Sequence, residues 1–210
     1  RTGMTQQATA RRGARPLAFL ACALLALCTT SCAPFFPVTA GRQSWADEAL
    51  QKAARMKSIE AVGRDIEPTL IQVRNELINE SNFSQRQSWD FISSQPVRDT
   101  QLYTLTSPTI LFVENDAHKV QAVVESHLAP IGFTIRAKDK KTVEDGNETR
   151  IVAENPTYGV TVNVYVREST RASFGYETQP LKSDGSTQDP MQVADIPDRR
   201  PDWMVLTPPK

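Results

Sequence analysis

The chain has 210 residues, 40% of them hydrophobic and 23% charged, with 24 basic side chains against 24 acidic ones. That length accommodates one domain with flanking segments, and the composition is that of a globular protein with polar ends. The neutral total hides an uneven distribution. Residues 1–31 carry four arginines and no acid, so 20 basic residues face 24 acidic ones in the remainder, a balance of −4. Such a body carries no electrostatic footprint for nucleic acid and no polybasic patch for an anionic bilayer.

The N-terminal segment reads as an address. Arg11, Arg12 and Arg15 precede the apolar run PLAFLACALLALC over residues 16–28, and the small residues Thr29, Thr30 and Ser31 lead to Cys32. A basic stretch, a short apolar run and small residues make a secretory signal. The run is shorter than the roughly 20 apolar residues of a membrane-spanning helix. The arginines set its orientation by staying on the cytoplasmic side.

The segment ending at Cys32 resembles the lipobox of bacterial lipoproteins, with Thr30 and Ser31 as the small residues before the cysteine. The resemblance implies cleavage between Ser31 and Cys32 and attachment of lipid to the Cys32 sulfur. Thr29 departs from the pattern, which usually has leucine three residues before the cysteine. Cys28 has Leu25 at that place but bulky Leu27 directly before it. Two acyl chains on Cys32 would hold the protein stably to a membrane, at about 0.8 kcal/mol per buried methylene. The alternatives are ordinary secretion with cleavage after Val38-Thr39-Ala40, or an uncut anchor. All three cysteines, Cys22, Cys28 and Cys32, lie in this region. The rest of the chain must therefore fold without disulfides and has no thiolate for metal binding or catalysis.

Residues 33–43, with two prolines and a glycine, read as a tether after the lipidated cysteine. From Ser44 an alanine-rich stretch predicts a helix to Val62, interrupted by Gly63. Ile66, Leu70, Val73 and Leu77 form one apolar stripe of a second helix, with Pro68 tolerable in its first turn. Residues 86–93 alternate weakly and read as strand or loop. Leu102–Leu105 and Thr109–Val113 are strand-like, with Pro108 between them. Asn115-Asp116 caps an amphipathic helix to Leu128, whose buried face is Val120, Val123, Val124 and Leu128.

Four further strands are expected. They centre on Ile131–Ile135, Arg150–Glu154, Val160–Val166 and Ala172–Tyr176, with hairpin signals at Asp145-Gly146 and Asn155-Pro156. The expected fold is α+β: N-terminal helices and a two-layer sandwich, with an antiparallel sheet of about four strands covered by helices in a split βαβ arrangement. The expected organisation is a signal peptide over 1–31, lipidated cysteine and tether over 32–43, the α+β domain over 44–181, and a Pro-rich polar tail without order over 182–210. Trp203–Leu206 is an apolar exception within that tail, able to dock.

Chemistry-bearing patterns are sparse. His118 and His127 fall on opposite faces of the predicted helix and cannot share a metal, so no metal site is expected. Glu144, Asp145, Glu148 and Glu154 cluster about a hairpin and read as solvated turn acids. No phosphate-binding glycine motif and no nucleophile elbow occur, so no cofactor and no catalytic residue is assigned. Tyr158 and Tyr165 are the candidate binding surface, Tyr158 in a turn and Tyr165 on the strand face opposite the valines.

The signal and tether resemble those of small lipoproteins from high-GC Gram-positive bacteria. The order of the body loosely resembles LppA-like lipoproteins of that group, which implies no enzyme, cofactor or substrate. The expected protein is a non-enzymatic envelope lipoprotein on the outer face of the cell membrane. Its partners are the membrane, through lipid, and an envelope protein or glycan. An envelope hydrolase with an unsignalled site is the alternative.

Overall fold

The computed structural model describes residues 39–87, 91–142, 146–169, 171–194 and 203–204. The chain divides into two units, Arg1–Pro37 and Val38–Lys210, and all described residues belong to the second. The valine alternation becomes the strand at the centre of one half of the sheet, β7 (Val160–Arg167). Val160, Val162, Val164 and Val166 are buried, while Thr161, Asn163, Tyr165 and Arg167 lie on the opposite, partly open face. β7 pairs antiparallel with β6 (Gly146–Asn155) on one side and β8 (Ala172–Thr178) on the other. β5 (Thr134–Thr142) closes that edge against β6.

The other half is a long interrupted hairpin. Its arms are β1 (Phe83–Gln87) with β2 (Phe91–Val97), and β3 (Thr100–Thr106) with β4 (Thr109–Phe112). β2 pairs β3 from Phe91↔Thr106 to Val97↔Thr100, and β1 pairs β4. The turn between β2 and β3 places Arg98 at φ 55°, the only non-glycine residue at positive φ among those described. The second arm breaks at Ser107-Pro108, because proline has no N–H for the ladder. Ser107 bridges the gap: its N–H donates to Tyr176 O at 2.9 Å and its Oγ accepts from Tyr176 N–H at 2.8 Å. The sheet order is β1-β4-β8-β7-β6-β5, with β2–β3 continuing beside β8.

The sheet thus has eight strands rather than about four. β1 (FSQRQ) and β2 (FISSQPV) lack strict apolar alternation, so their strand character comes from ladder pairing rather than from side-chain period. β5 starts at Thr134; Ala129–Ile131 forms a 3₁₀ turn ended by Gly132 at φ 88°.

Helices cover one face. α3 (Glu67–Leu77) presents Leu70, Val73 and Leu77, and Ile66 precedes it on the same stripe, all buried as expected. α4 (Ala117–Leu128) is capped by Asp116, whose carboxylate accepts from Lys119 N–H at 3.0 Å. Its residues Val120, Val124 and Leu128 join α3 and the sheet valines in one core. Full burial of each such side chain contributes about 1.5–3 kcal/mol of transfer free energy. α4 connects β4 to β5, which run parallel with β8, β7 and β6 between them, an expanded form of the split βαβ arrangement.

Gly63 does not interrupt a helix. α1 (Thr39–Arg55) stops earlier, and the chain re-enters helix at α2 (Ile59–Ala61), followed by a π-helical turn over Val62–Ile66 that leads into α3. Glu67 N–H donates to Val62 O five residues back, so the extra residue of the π turn lies just before Pro68. A proline there would clash with a regular α-helical carbonyl four residues back, and the widened turn accommodates it. Gly63 is buried, and a Cβ there would stand 2.9 Å from Val193 Cγ1, so the close packing favours glycine. α1 also begins at Thr39, ahead of Ser44 and inside the stretch expected as tether. Once a helix is nucleated by packing, each added residue gains a hydrogen bond. Ala53 of α1 packs on Val97 and Leu102 at the hairpin tip, and Asp47 meets Arg98 at 2.5 Å.

The polar composition after Leu181 predicts disorder, yet the described part of that stretch is packed. Leu181 is fully buried and exchanges backbone hydrogen bonds with Tyr103, each at 2.8 Å. Buried Glu60 accepts hydrogen bonds from Ser183 Oγ, from Asp184 N–H at 3.1 Å and from Thr187 Oγ1 at 3.2 Å. Pro190–Ala194 forms a 3₁₀ turn whose Val193 packs against the main core. Met204 is 3% exposed, and Trp203 meets Phe83 edge-to-face at 5.7 Å. Partners supplied by distant parts of the chain order this segment.

Candidate functional site

Ser31 and Cys32 lie outside the described residues, as do Glu144 and Asp145. Tyr158 is half-buried in the turn before β7; its hydroxyl donates to Asp65 Oδ2 at 3.1 Å. Burial and that carboxylate raise the Tyr158 pKa above its usual value. Tyr165 is half-buried on β7, where the Arg150 guanidinium stands 5.4 Å from its ring centre. Val160 and Tyr165 alone are separated by about 17 Å of strand, so the two tyrosines do not form one patch. One tyrosine has its hydroxyl engaged, and the other has a ring face covered by a cation.

Three of the remaining sequence candidates, Glu148, Glu154 and His127, have structural partners. Glu148 meets Arg167 at 2.7 Å and Glu154 meets Arg136 at 3.4 Å. His127 Nε2 lies 2.6 Å from Glu76 Oε2 and ties α4 to α3, whereas His118 is exposed. Among the described residues, no group of three or more histidine, cysteine or acidic side chains is placed to hold a metal, and no helix is long and apolar enough to cross a membrane.

A concave surface among the described residues is one that the sequence did not announce. It forms where the chain leaves α1. Lys57 N–H donates to Thr157 O at 2.9 Å and Ile59 N–H to Lys182 O at 3.0 Å, which draws the break against the β6–β7 turn and the segment after β8. Ser58 caps α2 by accepting from Ala61 N–H at 3.1 Å, and its hydroxyl donates to Asp184 Oδ2 at 2.6 Å. Hydrogen bonds from Ser186 and Ser58 hold the Asp184 carboxyl down to about 2. Gly159, at φ +63°, lets Met56 lie over the backbone; a Cβ there would be 2.6 Å from Met56 Sδ.

Met56 lines a hollow on each side of itself. One, of about 550 Å³, has Lys52, Arg55 and Arg136 with a single acid, Glu154, and the neutral groups Thr134, Thr161 and Gln179. The other, of about 460 Å³, has Lys57, Arg64 and Lys182 with a single acid, Asp184. Arg64 and Arg136 are paired with Asp65 and Glu154, and Lys52 lies 3.7 Å from Glu48. Arg55, Lys57 and Lys182 have no ion pair among the described residues. The surface can therefore attract anions and offer hydroxyl and amide groups beside them.

This architecture, an eight-stranded antiparallel sheet with helices on one face and an open corner at the end of α1, defines an α+β domain of mixed connectivity. The chain belongs to the family described as a domain of unknown function, DUF4853, which matches residues 55–189. It is similar to the crystal structure of a DUF4853 family protein from Actinomyces odontolyticus, at 14% identity and a TM-score of 0.50. That likeness covers 67% of this chain and 82% of the other and concerns the fold alone. No curated protein matches the chain. The family match begins at Arg55 and includes Lys57, Arg64 and Lys182, so most of the cationic surface belongs to the family domain.

Proposed function

We propose that the protein is an exported cell-envelope lipoprotein, anchored through Cys32, whose domain is a non-enzymatic binding module for an envelope protein or cell-wall component. The anchor half of this reading rests on residues 11–32: arginines, a short apolar run, and small residues before a cysteine. The same segment carries the likeness to small lipoproteins of high-GC Gram-positive bacteria, and the order of helices and strands in the body carries the looser likeness to LppA-like members of that group.

The binding half rests on one observation, the pair of hollows about Met56. Their volumes lie in the range of ligand sites, and their cationic rims stand out on a body of net −4. This is a different surface from the pair Tyr158 and Tyr165. Fractionation tests the anchor. The wild type is expected in the membrane fraction and the detergent phase, and Cys32→Ala in the soluble fraction. An unchanged distribution would contradict lipid anchoring at that residue.

A further inference from the structure

We infer that the two hollows flanking Met56 together bind an acidic glycan, a chain of sugars bearing carboxylate or phosphate groups. The inference rests on the binding-module reading and names the ligand class of its site. Six cations meet two acids in the hollow linings, although the chain beyond residue 31 has more acids than bases. The acids are already engaged, Glu154 with Arg136 and Asp184 with Ser58 and Ser186. Three of the cations, Arg55, Lys57 and Lys182, have no ion pair among the described residues. An incoming anion therefore meets cations that need not break an existing bridge.

Charge alone would fit any polyanion, and two further features select sugar. Thr134, Thr161 and Gln179 line the larger hollow with side chains that hydrogen-bond to nothing among the described residues. Such groups both donate and accept, which suits sugar hydroxyls. The backbone around Met56 is also occupied. Thr157 O, Gly159 O and Lys182 O accept from Lys57, Gln179 and Ile59 N–H groups at 2.9, 2.7 and 3.0 Å. An acidic peptide would find little of the main-chain pairing on which strand addition depends. The two hollows adjoin at Met56, the one lining residue they share, so a ligand longer than one sugar is the class that could engage both.

The test uses the full chain, purified from the fraction that carries it, and titrates it with oligogalacturonate, phosphomannan, neutral mannan and polyglutamate. One or both acidic glycans should bind, carboxylate and phosphate forms being told apart by which probe does. Binding should weaken with added salt. It should fall about tenfold or more in Arg55→Gln/Lys57→Gln/Lys182→Gln, three outward-facing changes. A second variant, Thr161→Val/Gln179→Ala, keeps every charge and should weaken glycan binding while leaving polyglutamate unaffected. Equal binding of neutral mannan, equal or tighter binding of polyglutamate, or indifference to both variants would overturn the assignment. A chain that partitions to the membrane through Cys32 yet ignores every acidic glycan contradicts the ligand class alone. Loss of the Cys32 dependence instead contradicts the reading beneath it.

Discussion

At Gly159 two constraints coincide: a left-handed φ of +63° and a Met56 sulfur 2.6 Å from where a Cβ would stand. Gly159→Ala should therefore destabilise the fold by about 2 kcal/mol or more, combining backbone strain with the clash. Met56→Ala in the same chain should recover the clash and leave the strain, which urea unfolding of the two variants can separate. Asp184 adds a pH dependence of known sign. Its carboxyl is held at about 2 in the fold against 3.8 for an ordinary aspartate. The stabilisation is thus complete above 3.8 and lost as the pH falls through about 2. Asp184→Ala should lower the urea midpoint at neutral pH, and the gap to wild type should narrow as the medium is acidified over that window. Glu114 behaves in the same direction, its carboxyl lowered chiefly by the Lys119 ammonium. None of this was legible in the sequence, because Gly159, Met56, Ser58 and Asp184 meet only once the chain has folded.

Among the elements, those with a strong side-chain period were legible. The stripe Ile66, Leu70, Val73 and Leu77, the Asp116 cap and the β7 valines all lie where their spacing predicts. Leu70→Ala should cost about 2–5 kcal/mol, because the side chain is fully buried between sheet and helices. Asp116→Ala should cost about 1 kcal/mol through the lost cap, measurable by thermal melting. The elements that escaped the sequence have no such period. β1 and β2 are held by ladder bonds to β4 and β3, and their sequences do not alternate strictly between apolar and polar residues. Gly63 resembles a breaker but is demanded by the close approach of Val193, a contact 130 residues away.

On the scale of the whole molecule, a mixed α+β sandwich was readable from the order of helices and strands, while its width was not. The packing of residues 182–194 was also hidden, because composition reports polarity and says nothing about whether Glu60 waits to accept the hydrogen bonds of that stretch. Met204 provides the test. It is 3% exposed, so Met204→Ala should destabilise by about 2 kcal/mol or more, where a disordered tail would give no change.

The cationic corner was illegible for the same reason. Its residues come from 52–64, 134–136, 154–161 and 179–184, and no single segment carries the pattern. The proposed address, by contrast, is a continuous motif over residues 11–32, and the proposed function depends on it first. Intact mass of the protein from the membrane fraction, wild type beside Cys32→Ala, tests it most directly. The wild-type chain should begin at Cys32 and carry acyl mass, and that species should be absent from the variant. A soluble chain beginning at Gly41 in both would contradict it.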